Sequence, residues 1–462
     1  MKVDLIQPRH NYAPTEVVGH IYMPTSLLTI GSKLLNAGVE VEFHDENFQP
    51  ARISSDCVGF NLLGSPYIPE VIKLQKHIKK ESGEKKFLVG GQVVSGLSLD
   101  QLTRLFGRST YNGNDDSTLA HVLEIEERAL TSLERTSLIP AYEKLDDKTM
   151  KEYLSREFSL YVSQGCKFSC NFCAAVRTYR DPATGRTIKS KESYRKLSVI
   201  KADLSYLVRK AKSFGLKEMQ LYMSNLDVFQ TPQQLLRFAY TIQEIEREYR
   251  DFTISLRGLA TVDSFLRARD KHPKCIEELV NAGFNKVGFG VDGWTKEVWA
   301  AVKKGHNNEE KCLEAIRSTK EDFGITPEIL MVFGHPTADK EESLGAAYKV
   351  TKMVVEMYGA VPRPHVSKGF IPGNNGWRSP EYARAVETLL QNPACFQSLD
   401  FTALPSPLTH PNANIRELAT KYFLKICDLP GNTTQYVRPI TPHLSSAELE
   451  EIITFNEGRF DR

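Results

Sequence analysis

The chain has 462 residues, with 59 basic and 57 acidic side chains giving a formal net charge of only +2. That length allows two or three domains, each large enough to bury its own core. Near-balanced charge leaves no electrostatic footprint for nucleic acid, and no apolar run approaches the roughly 20 residues that would span a bilayer. The N-terminus, Met1 to Pro8, places Asp4 inside what would be the apolar stretch of a signal peptide. Of eight cysteines only three cluster, at one place, which suits a reducing compartment better than a disulfide framework. A cytoplasmic location is expected.

The first 140 residues alternate short apolar runs with helical periodicity, the pattern of a parallel sheet wrapped by helices. Strands are expected at Val3 to Ile6, Val39 to Phe43, Cys57 to Leu62 and Lys86 to Val89. A helix is expected over residues 25–37, because Leu27, Leu28, Ile30, Leu34 and Leu35 fall on one side and Gly38 ends it. In an open sheet of this type ligands bind outside the carboxyl ends of the strands. The loops from Pro8 to Tyr22, Asn61 to Tyr67 and Gly90 to Ser95 therefore face one crevice. Residues 119–157 read as a connector with a charged helix from Leu123 to Glu134, its charges explained by solvation.

From residue 158 the strand and helix rhythm resumes. Strands are expected at Phe158 to Ser163, Met219 to Tyr222, Phe252 to Leu256, Lys286 to Gly290, Glu328 to Phe333 and around His365 to Gly369. Helices separate them, at Ala202 to Phe214, Gln233 to Arg247 and Glu309 to Glu321 among others. Repeated units of this kind build an open sheet or a barrel. Directly after the first strand stand Cys166, Cys170 and Cys173, spaced C-x3-C-x2-C. A cubic four-iron cluster takes four ligands, and this run offers three, leaving one iron open for chemistry. The alternatives are a structural zinc site, which would want paired C-x-x-C units or nearby histidines, and buried thiols or a disulfide.

The run Cys166-Lys-Phe-Ser-Cys170-Asn-Phe-Cys173, with Phe172 at the aromatic position, resembles the signature of the radical S-adenosylmethionine (SAM) superfamily. The resemblance implies that Cys166, Cys170 and Cys173 ligate a 4Fe-4S cluster, that the open iron chelates SAM, and that reductive cleavage gives a 5′-deoxyadenosyl radical. It implies a partial (β/α)6 barrel, with the chemistry at the carboxyl ends of the strands. SAM contacts are then expected from Phe172, from Ser224, Asn225 and Asp227 after the second strand, and from Arg257 at the end of the third. Asp292 takes the acidic place after the fourth strand, and Val332 and Phe333 of the fifth would meet the adenine. Lys303-Lys304-Gly305-His306 stands where relatives carry a basic residue, and a solvated helix end explains it equally.

The first domain is similar to the Rossmann-like cobalamin-binding domain that precedes the barrel in one large radical SAM subfamily. The matching stretches are Met23 to Gly31, His44-Asp45-Glu46-Asn47, Val89-Gly90-Gly91 and the turn Tyr111 to Thr118. The resemblance implies cobalamin contacts from Asn61, Leu62, Gly64, Gly90, Gly91 and Gln92. No D-x-H-x-x-G motif is present, so no histidine is assigned beneath the cobalt.

The domains expected are a cobalamin-binding type from 1 to 140, a linker from 141 to 157, a radical SAM barrel from 158 to 376 and a mostly helical segment from 377 to 462. That last segment would pack against the barrel or cover the substrate as a lid. The resemblance implies methylation of an unactivated carbon, with cobalamin as methyl carrier, or cyclisation, rearrangement or oxidation without methyl transfer. A non-enzymatic metal-binding module is the remaining alternative. The partners implied are a small-molecule or peptide substrate and an external one-electron reductant such as flavodoxin or ferredoxin. No catalytic side chain is assigned.

Overall fold

A computed structural model describes residues 1–9, 22–107, 111–112, 116–168, 170–174, 179–180, 187–188, 193–335, 340–368, 370–374, 376–400, 403–410 and 412–434. The N-terminal part runs β1 (Lys2–Gln7), α1 (Thr25–Asn36), β2 (Glu40–Asp45), β3 (Cys57–Asn61), α2 (Tyr67–Ser82), β4 (Lys86–Gly90), α3 (Gln92–Gly96), α4 (Leu99–Phe106), β5 (Tyr111–Asn112) and α5 (Asp116–Leu123). The strands form one parallel sheet in the order β2-β1-β3-β4-β5. Both faces are covered, which is why β1 and β3 read as almost unbroken buried runs. Helix α1 lies close on the sheet because Gly31 has no side chain; a Cβ there would overlap the Phe43 ring.

The connector differs from expectation. Helix α5 ends at Leu123, and residues 124–134 contain no further α-helix, only a short 3-10 turn at Glu127–Ala129 and the start of a second at Leu133–Arg135. The segment has charge without a sustained apolar stripe, and a helix there would have no face to bury. The helices that follow are α6 (Ile139–Tyr142) and α7 (Asp147–Leu154). Asp146 caps α7 through the Thr149 N–H at 2.9 Å. Tyr153 of α7 donates its hydroxyl to Asp45 at the end of β2, tying the connector to the first sheet.

The second part begins with β6 (Phe158–Leu160). Two small antiparallel ladders follow, β7 (Ser163–Gln164) with β10 (Ser193–Tyr194) and β8 (Tyr179–Arg180) with β9 (Thr187–Ile188). The remaining elements are α8 (Leu197–Ser213), β11 (Glu218–Met223), α9 (Pro232–Glu248), β12 (Thr253–Ala260), α10 (Val262–Lys271), α11 (Pro273–Asn281), β13 (Phe284–Gly290), α12 (Lys296–Ala301), α13 (Glu309–Glu321), β14 (Thr326–Phe333), α14 (Glu341–Tyr358) and β15 (Val361–Val366). The sheet order β15-β14-β13-β12-β11-β6 follows the chain, all strands parallel. This is the six-stranded partial barrel. Strand residues alternate between a core under the helices and the lumen; Ser255, Arg257 and Leu259 of β12 take the less buried side. The sixth strand ends at Val366, earlier in the chain than expected.

The C-terminal segment is helical, with α15 (Ala383–Gln391) and α16 (Ala413–Cys427). Its packing is divided. Helix α16 lies on α14 and β15 of the barrel. The stretch before it, with Phe370, Trp377, Leu389 and Phe396, shares a core with Ile6, Val58, Phe60 and Phe87 of the first sheet and with α2 and α4. This segment therefore packs against the barrel and also completes the outer face of the N-terminal sheet.

Candidate functional site

The cysteine loop leaves β7 through Gly165, whose φ of +93° permits a turn that a side chain would resist. Its backbone is fixed from several sides. The Lys167 N–H donates to Gln230 Oε1 at 2.8 Å, the Asn171 N–H to the Val302 carbonyl at 3.2 Å, and the Asn171 amide to the Ala301 carbonyl at 3.0 Å. Phe168 stacks on His306 with ring centroids 4.0 Å apart. None of the three cysteines is in a disulfide; Cys166 and Cys170 are buried and Cys173 is half-buried. Burial pushes the Cys170 thiol up to about 11, against the pull of Lys304. Among the described residues, the only three metal-binding side chains within 4.8 Å of one another are Asp4, Glu42 and His44. Thiolates sharing one zinc at about 2.3 Å would lie about 3.8 Å apart. The three cysteine sulfurs do not all lie within 4.8 Å of one another.

Beside this loop lies the end of β13. Asp292, Gly293 and Trp294 all have positive φ, at 30°, 70° and 56°, a strained turn of the kind that clusters at functional sites. Asp292 is almost wholly buried and both its oxygens are used: Oδ1 accepts the Val332 N–H at 3.2 Å and Oδ2 pairs with Lys304. Lys304 also donates to the Gly290 carbonyl at 2.9 Å and lies 5.8 Å from the Phe172 ring centre. Burial works against its charge, but Asp292 and the Cys170 thiol hold its pKa above the usual lysine value. Lys304 is thus a buried cation at the cysteines, not a solvated helix end. No periodicity marked it, since it follows α12 in a turn.

The other expected SAM contacts separate into two groups. Ser224 and Asn225 stand just beyond β11 near the loop: Ser224 Oγ donates to the Leu160 carbonyl at 3.0 Å and Asn225 Nδ2 to Ser163 Oγ at 2.6 Å. Asn225 Oδ1 is buried with no partner. The Phe172 ring lies 5.9 Å from His335. Val332 offers its backbone to Asp292, and Phe333 ends β14. Asp227 and Arg257 are corrections. Asp227 is committed to the start of α10, accepting from Thr261 Oγ1 at 2.9 Å and Ser264 Oγ at 2.5 Å, and burial raises its pKa. Arg257 does not end its strand, because β12 continues to Ala260. Its guanidinium is held by Glu328 at 2.7 Å and Glu157 at 3.1 Å, while Arg363 binds the other oxygen of Glu328 at 2.9 Å. Glu157 precedes β6, so this network sits toward the amino ends of the strands, the end of a barrel that serves stability rather than chemistry.

A cavity of about 480 Å³ lies between the two sheets. The first domain contributes Asn61, Leu63, Gly90, Gly91 and Gln92 from the carboxyl ends of its strands, and the barrel contributes Ser159, Tyr161, Gln164 and Ser224. A mostly apolar slot continues down the sheet face, walled by Leu5, Leu27, Ile30, Gly59, Leu88 and Leu119. Gly91 has φ +111°, and a Cβ on it would fall 2.5 Å from the Leu62 carbonyl oxygen. Of the residues expected here, Leu62 is wholly buried beneath the turn and neither it nor Gly64 forms the wall. Leu63 does, and at 44% exposure it is one of few large apolar side chains left open. An apolar residue in a loop after a strand was its only signal. Of the other motif stretches, residues 10–21, 113–115 and 336–339 fall outside the described residues, as does His443.

Residues 160–347 match the radical SAM superfamily, a family that implies a 4Fe-4S cluster and SAM. No curated protein matches the chain. Among solved structures it is similar to the cobalamin-dependent S-adenosylmethionine radical enzyme OxsB with aqua-cobalamin and S-adenosylmethionine bound, at 16% identity and a TM-score of 0.56 over 76% of this chain and 52% of that one. OxsB with aqua-cobalamin alone gives 15% identity and a TM-score of 0.55 over the same shares, 76% and 52%. The chain therefore spans about half the length of these structures, and the likeness concerns the fold.

Proposed function

We propose that the chain is a cobalamin-dependent radical SAM methyltransferase acting on an unactivated carbon of a small-molecule or peptide substrate. An external one-electron reductant such as flavodoxin or ferredoxin would serve it in the cytoplasm. The observation that carries the proposal is the cavity walled jointly by the glycine-rich strand ends of the first sheet and by the barrel strand that leads into the cysteines. It leaves room for a second cofactor beside the radical site.

The donor set fits each group. Cys166, Cys170 and Cys173 would hold the cluster. The buried, unpartnered Asn225 Oδ1 needs a donor, and the SAM ammonium is one. Lys304, rather than Arg257, would face the SAM carboxylate, since it is the buried cation beside Cys170. The Val332 and Phe333 backbone would meet the adenine. Asn61, Gly90, Gly91 and Gln92 would line the corrin, because glycines let a broad planar ligand approach the backbone. Its nucleotide tail would enter the slot that Gly59 leaves open. When bound, the cluster and SAM supply a hydrogen-abstracting radical, and the corrin supplies the methyl group. The protein's task is orientation and exclusion of water. Under this reading residues 1–140 hold the corrin, 141–157 connect, 158–376 hold cluster and SAM, and 377–462 close the assembly.

The test is anaerobic reconstitution with iron, sulfide and cobalamin, followed by product analysis under reducing conditions with SAM. S-adenosylhomocysteine together with 5′-deoxyadenosine is expected. 5′-Deoxyadenosine alone would remove methyl transfer and leave rearrangement, cyclisation or oxidation. Absence of both would overturn the radical SAM reading itself.

A further inference from the structure

Asn307 was not marked by any motif, yet it combines burial, anchoring and an unmet bond. It is 6% exposed and sits one turn beyond Lys304, its N–H bonded to the Lys304 carbonyl at 2.9 Å. Its Nδ2 donates to the Gly290 carbonyl at 3.1 Å, the same oxygen that receives Lys304 Nζ at 2.9 Å. A carbonyl only accepts, so this bond fixes which end of the amide is nitrogen. Oδ1 is then left buried, sealed from bulk water and without a partner. Leaving such an acceptor unsatisfied is costly, and native proteins seldom retain the defect without a water, ion or ligand that meets it.

The neighbouring Asp292 holds the place where the family resemblance puts a ligand-binding acid, and each of its oxygens already has one partner, Lys304 on Oδ2 and the Val332 N–H on Oδ1. We infer that Asn307 Oδ1 accepts a hydrogen bond from SAM, as an acceptor additional to the two oxygens of Asp292. This rests on the radical SAM reading above. SAM has two kinds of strong donor within reach of a barrel mouth, its ammonium and its ribose hydroxyls. Asn307 is a positioning residue, because it touches the cofactor and not the reacting bond.

The experiment measures affinity of cluster-reconstituted protein for SAM and for 5′-methylthioadenosine, which keeps the ribose and lacks the ammonium. N307A is expected to weaken SAM binding about tenfold. N307D, which keeps an acceptor and deletes the donor to Gly290, should stay within about threefold of the parent. Loss for both ligands assigns the ribose hydroxyl, and loss for SAM alone assigns the ammonium. If N307A binds both ligands as the parent does, or N307D loses as much as N307A, the acceptor role is overturned and Asn307 merely anchors the turn. Failure of the parent to bind SAM at all would instead strike the radical SAM reading, so the two outcomes are distinct.

Discussion

Asp4 shows how one side chain in a central strand can be both a cost and a clamp. It is fully buried in β1, and burial alone would raise its pKa. His44 Nε2 at 2.9 Å, the Ser54 and Ser55 N–H groups at 2.9 Å each and Ser55 Oγ at 2.8 Å outweigh that and hold it at about 2. The same saturation explains why Asp4, Glu42 and His44 are a hydrogen-bonded cluster and not an open metal site: Glu42 is already paired with Lys2 at 2.6 Å. A carboxyl depressed below its unfolded value of about 3.9 stabilises the fold above that pH and loses the contribution as pH falls through about 2. D4N should therefore cost about 2 kcal/mol in denaturant unfolding at pH 7, with the gap from the parent closing between about pH 4 and pH 2. A gap that stays constant across that range would show that packing, not ionisation, is responsible. Residue chemistry of this sort was only half legible in the sequence. The cysteine spacing could be read directly, because its ligands are local; Lys304 was legible only as part of a basic run that a solvated helix end explained equally, and Asn307 not at all, because their significance arises from burial beside a loop that is more than 130 residues earlier in the chain.

At the scale of elements, the sequence was most readable where one face of a segment is apolar throughout. Helix α13 lies at Glu309–Glu321, the bounds its pattern implies, and β1 and α1 fall within a residue or two of theirs. It failed where charge was taken for helix, at residues 123–134, and where Arg257 was taken for a strand end, since Gly258, Leu259 and Ala260 carry the ladder on beside β13. Contacts between distant elements were invisible. The end of α3 meets the chain leaving β15 so closely that a Cβ on Gly96 would run into the Gly373 nitrogen and the Pro372 carbonyl group. Backbone on both sides leaves nothing flexible to yield. Gly96 has no positive φ, so the effect of G96A would come from this approach alone. Overpacking of this kind costs about 1–3 kcal/mol, and G96A should lower the melting temperature by several degrees. An unchanged melting curve would mean that the two segments can part without loss.

Among the described residues, the ties between the two sheets include the α7 contact at Asp45, the Thr25 Oγ1 bond to the Ser159 carbonyl at 3.0 Å, the buried pair of Arg195 and Asp203 that fastens the barrel to the connector at Ser137 and Leu138, and the C-terminal segment. What they hold apart is the cavity, and its two ends have different chemistry. The barrel end has polar donors and acceptors near the cysteines; the far end is the apolar slot over Gly59. This separation permits the two proposed cofactors to be uncoupled. A Cβ on Gly59 would lie 2.7 Å from Leu5 Cδ2, the tip of a side chain that can rotate away, and φ there is not positive. G59V should therefore fold and fill the slot. Cobalamin affinity, followed by the corrin spectrum, is expected to fall at least about tenfold, the loss of roughly one buried side chain's worth of apolar contact. SAM cleavage to 5′-deoxyadenosine should persist, because no wall of the cluster site is touched. Unchanged corrin binding would remove the slot from the cofactor site, and loss of both activities together would show that the two ends of the cavity are one cooperative unit.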